Sequence, residues 1–73
     1  MLDTTHPARE LADALGTYAA TCGRFADLSY THPGEGRFST ARIADGARVY
    51  ASARGRTPAA ACANLARRVG VSQ

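Results

Sequence analysis

Between Ala47 and Gly70 the apolar period changes once, and that change dictates one strand followed by one helix. In ARVYASAR (47–54) small side chains alternate with larger polar ones; after Thr57 the apolar residues fall every third or fourth position. Thr57-Pro58 has the form of a cap followed by proline at the first helical position. Pro58, Cys62, Leu65 and Val69 then share a face, with Ala61 and Ala66 beside them. Arg67 and Arg68 suit the negative end of the helix dipole, and Gly70 ends the helix.

Upstream, Leu11, Leu15, Tyr18 and Cys22 recur at helical spacing. With Pro7 in the first turn, Thr5 or His6 at the cap and Gly23 as the stop, the pattern predicts a helix over 7–22. Gly16 weakens it by about 1 kcal/mol relative to alanine. RFADLSY (24–30) reads as a short strand, THPGEG (31–36) as a turn and RFSTARIA (37–44) as a second strand. Asp45-Gly46 predicts a two-residue hairpin into the third strand. The expected fold is α+β in the order α-β-β-β-α: a three-stranded antiparallel sheet with both helices packed on one face. Residues 1–73 form one domain in this reading, with 1–4 and 71–73 expected to fray.

Few large apolar side chains are available to fill it, chiefly Leu11, Leu15, Tyr18, Phe25, Leu28, Tyr30, Phe38, Ile43, Val49, Leu65 and Val69. Alanine fills the rest. A core of this kind leaves little room for a cofactor pocket, so neither an enzyme nor a bound cofactor is expected. No P-loop, Rossmann glycine pattern, GxSxG or HExxH occurs, and no catalytic residue is assigned. His6, His32, Cys22 and Cys62 lack the close spacing of zinc ligands. Two cysteines are too few for a disulfide scaffold, and no leader or membrane-length apolar run is seen; a reducing cytoplasm and two buried thiols are expected.

Charge is unevenly spread. Residues 1–36 carry two arginines against five carboxylates, and residues 37–73 carry seven arginines against Asp45 alone. Strand alternation sends Ala47, Val49, Ala51 and Ala53 one way and Arg48, Tyr50, Ser52 and Arg54 the other. A two-residue loop would set Arg37 opposite Arg54, Ser39 opposite Ser52, Ala41 opposite Tyr50 and Ile43 opposite Arg48. Arg37, Arg48 and Arg54 would then surround Tyr50 on the solvent face, suited to carboxylates or phosphates. A longer loop with a bulge would change the parity of the second strand and disperse that patch. Arg54 and Arg56 also precede the free N–H groups of the second helix, where an anion could sit, although Thr57 can satisfy them itself.

ARELADALG, HPGEGRFSTARI and ARGRTPAAACANLARRV, in this α-β-β-β-α order, resemble the double-stranded-RNA-binding domain. That resemblance implies nucleic-acid contacts by Glu10 and by His32 with Pro33, and Arg54 and Arg56 would contact phosphates only by curling back over the start of the second helix. The family's lysine cluster at the start of the second helix is replaced here by TPAAACANLA, which removes most of the electrostatic affinity. RVYASARGRTPAAACANLARRV also resembles small phage proteins with a helix-sheet-helix sandwich, among them anti-CRISPR proteins. This implies a small non-enzymatic protein that occludes a partner handling nucleic acid, such as a CRISPR effector. Arg37, Arg48, Tyr50, Arg54 and Arg56 would make the contact; alternatively Asp13, Asp27 and Glu35 would imitate phosphates at a basic groove.

Overall fold

The computed structural model describes residues 7–31, 37–46 and 48–71. The order is α1 (Arg9–Cys22), β1 (Asp27–Tyr30), β2 (Ser39–Ala44), β3 (Val49–Gly55) and α2 (Pro58–Val69). The three strands form an antiparallel sheet in the order β1-β2-β3, and both helices pack on one face of it, an α+β fold.

In α1, Leu11, Leu15 and Ala19 recur every fourth residue and are buried, which is what points this helix at the sheet. It begins two residues later than Pro7, with Ala8 as N-cap and no side-chain cap; Thr5 and His6 lie outside the described residues. In α2, Thr57 Oγ1 accepts the Ala60 N–H at 3.1 Å, and Pro58 occupies the first turn. Gly70, at φ 79°, ends it in the left-handed conformation, and the Val71 N–H reaches back to the Ala66 carbonyl at 2.9 Å. Ala61, Cys62, Leu65 and Ala66 are buried.

The core is thus Leu11, Leu15, Ala19, Ala41, Ile43, Ala61, Cys62, Leu65 and Ala66, flanked by half-buried Tyr18, Leu28, Tyr30 and Tyr50. Its small side chains let α2 approach β3 closely. A Cβ added at Gly55 would lie 2.5 Å from the Ala61 backbone nitrogen. Three residues expected inside are not there: Phe25, Phe38 and Val49 are 77, 57 and 55% exposed. Phe25 is in a turn, because β1 starts at Asp27 rather than Arg24.

The β2–β3 register departs from the two-residue expectation. The Asp45 N–H donates to the Arg48 carbonyl at 3.1 Å, so Asp45 faces Arg48 across the turn instead of standing within it. Gly46 adopts φ 92°, which glycine tolerates. Ala44 then pairs with Val49, but Ile43 pairs with Ala51, leaving Tyr50 as the extra residue of a β-bulge. The reason is parity. A two-residue turn pairs odd-numbered with even-numbered residues, yet Ser39, Ala41 and Ile43 of β2 and Ala51, Ala53 and Gly55 of β3 all turn toward the helices. One extra residue in β3 lets both strands bury that set.

Candidate interface on the open sheet face

The helices cover one face of the sheet and leave the other to solvent. On β2 the alternation is strict: Ser39, Ala41 and Ile43 are fully buried, and the residues between them turn outward. Arg42 is therefore exposed at the centre of the open face, opposite Ser29 of β1 and Ser52 of β3. Thr40 stands opposite Arg54, and the Thr31 N–H and hydroxyl close the other side of that row on the Thr40 carbonyl and N–H at 2.9 and 3.1 Å. Ala44 lies between Asp27 and Val49.

Arg42 and Arg54 are diagonal neighbours, about 7–8 Å apart at the backbone as such pairs usually are. The Arg54 guanidinium sits 5.9 Å from the centroid of the exposed Phe38 ring. The two side chains thus make a cation–π contact on the surface. The face is a strip with two cations and four hydroxyls, Phe38 at one end and Val49 at the other, with the Asp27 carboxylate in the same row as Val49.

The expected patch is thereby rearranged. Arg54 keeps its place on the solvent face; Tyr50 does not. The bulge turns Tyr50 inward beside the C-terminal end of α1, close enough that a Cβ at Gly23 would meet its hydroxyl at 2.6 Å. Val49 takes the outward position instead. Arg48 is exposed but stacks over the Tyr50 ring at 5.4 Å, at the strand edge. Arg37 and Arg56 are exposed just outside β2 and β3, and none of the expected cross-strand pairs forms.

Sequence reading missed Arg42 and Phe38. Both share the parity opposite to Ile43, and that was the available signal.

Tyr50 donates to Asp45 Oδ2 at 2.9 Å. This bond, with burial second, raises the phenol above its usual value near 10. Tyr18 is raised by its hydrogen bond with Cys22, and burial pushes the Cys62 thiol up, away from a nucleophilic thiolate.

The remaining candidates are scattered. Asp13 lies on α1, exposed and 3.9 Å from Arg9, whereas Asp27 belongs to the open sheet face; Glu35 lies outside the described residues. Glu10 is exposed in the first turn of α1, and His32 is outside the described residues. Arg54 leans toward Phe38, not toward the start of α2, where Thr57 supplies the cap itself. Among the described residues no group of three or more His, Cys, Asp or Glu is placed to hold a metal ion, and no helix is long and apolar enough to cross a membrane. No protein-family model, curated protein or solved structure matches the chain.

Proposed function

We propose that this chain is a small non-enzymatic binding protein, of phage or mobile-element type, that docks by its open sheet face on an acidic surface of a nucleic-acid-handling protein. The observation that carries this reading is Arg42 and Arg54 standing together on an uncovered sheet, beside exposed Phe38. Guanidinium forks match carboxylates, and an exposed aromatic next to arginine is the composition of an interface centre. A CRISPR effector is the narrower form of the proposal, supported by the resemblance of the β3–α2 segment to anti-CRISPR proteins.

Two central arginines favour a protein over nucleic acid. Two phosphate contacts would give affinity that falls only about tenfold between 50 and 200 mM salt, far short of the several contacts that sustain useful duplex binding. The α-β-β-β-α order with helices on one face does support a second reading, a degenerate double-stranded nucleic-acid-binding domain using Glu10, His32, Arg54 and Arg56. Its weak point is the start of α2, which is capped by Thr57 and carries no cation in its first turn.

A plasmid-interference assay in cells with an active CRISPR system tests the first reading. The wild-type chain should protect the plasmid, and Arg42→Glu with Arg54→Glu should abolish protection while leaving the circular-dichroism spectrum unchanged. Duplex RNA or DNA bound tightly, with a salt slope well beyond two phosphates, would transfer the case to the second reading.

A further inference from the structure

The edge of β3 is a separate feature, on the helical side of the sheet rather than on its open face. β3 has seven residues and, among the described residues, one neighbour, β2, so alternate backbone groups along its outer edge face away from the sheet. Asn64, held at its Oδ1 by Arg67, donates to the Arg54 carbonyl at 2.7 Å and closes one end of that edge. The same alternation sends the Ser52 groups outward. At the other end the Arg48 carbonyl points to β2, where it accepts from Asp45, so Val49 faces outward again. Among the described residues no hydrogen bond from outside the sheet reaches Val49 or Ser52.

Beside these two residues lies a groove of about 540 Å³, with residues 49–52 on one side and Tyr18 of α1, Arg68 and Val69 of α2 on the other. Val49 and Ser52 turn to the open face while Tyr50 and Ala51 turn toward the helices, so a cavity that touches all four runs along the strand edge. Its lining carries Arg68 and no carboxylate, and exposed Arg48 stands over Tyr50 at its end. The nearby Asp45 carboxylate is occupied by the Tyr50 hydroxyl and the Arg48 N–H.

We infer that this groove takes an extended acidic segment of a partner protein, which adds to β3 as a fourth strand. Its backbone pairs with Val49 and Ser52, one side chain enters between Tyr18, Tyr50 and Val69, and a carboxylate meets Arg68. Backbone pairing supplies affinity in such additions and the side-chain pocket supplies specificity. A second copy of this chain is disfavoured as occupant, because two copies would set the same arginine-bearing, carboxylate-free groove edge against itself.

The experiment is an NMR titration of the full chain with the capped peptide acetyl-Val-Glu-Val-Glu-Val-amide and with its lysine counterpart. Saturable amide shifts confined to residues 49–52 and 68–69 are expected with the acidic peptide alone. Arg68→Glu, an exposed change, should weaken binding at least tenfold, and Ser52→Pro, which removes an edge N–H without touching the β2 pairing, should do the same. Shifts centred on Arg42, Arg54 and Phe38, equal binding of the lysine peptide, no shift at millimolar peptide, or edge shifts that grow with protein concentration alone would each overturn the inference.

Discussion

The Tyr50 hydroxyl donates to Asp45 Oδ2 at 2.9 Å while Asp45 Oδ1 accepts the Arg48 N–H at 2.9 Å, so one carboxylate ties the bulged residue to the hairpin turn. Because the phenol must stay protonated to donate, its ionisation lies above the usual value near 10. The stability it contributes is complete below the unfolded-state value and is lost as pH rises through the raised folded-state value. Tyr50→Phe should therefore lower the thermal midpoint at pH 8. The gap between variant and wild type should close above pH 10, in melts followed across that range.

Gly55 and Gly16 should respond oppositely to alanine. At Gly55 the new Cβ would lie 2.5 Å from Ala61 N and 2.6 Å from the Ala60 carbonyl carbon, backbone atoms that move only if α2 lifts off the sheet. Gly55→Ala should cost about 3 kcal/mol in urea unfolding, the upper end of the usual overpacking range. At Gly16, in the interior of α1, nothing lies within 4 Å of an added Cβ. Gly16→Ala should gain up to about 1 kcal/mol.

Ser39 is fully buried opposite Gly55, and its hydroxyl has no hydrogen-bond partner among the described residues. An unpaired buried hydroxyl carries a desolvation cost that alanine avoids. Ser39→Ala should be neutral or stabilise by about 1 kcal/mol, read as a shift of the denaturant midpoint at constant slope.

Thr57 caps α2 through the Ala60 N–H, and α2 is the helix packed most directly on β3. Thr57→Ala should cost about 1 kcal/mol, and Thr57→Ser should retain most of the stability. Equal losses in both variants would show that the methyl group, not the cap, is what matters there.

The element order, the extents of both helices to within about two residues and the inward orientation of half-buried Ala51 and Ala53 were legible in local patterns. Thr57-Pro58, Gly70 and the four-residue spacing of Leu11, Leu15 and Ala19 act over a single turn, and no distant residue is needed to interpret them. The solvent face was legible only in part. Ser52 and Arg54 pointed outward as their alternation required, but Arg42 and Phe38 went unrecognised and Tyr50 was placed on the wrong side.

Those errors have one source. Alternation within a strand is a local property of the backbone, so which residues share a face was readable outside the bulge, but which face of β2 turns inward was not. How β2 and β3 align is not local. It was decided when both inward sets had to reach the same pair of helices across a two-residue turn, which odd-with-even pairing forbids. The chain resolves the conflict by spending one residue on a bulge, and Tyr50 occupies it because Asp45 and the bare backbone of Gly23 receive its ring and hydroxyl there.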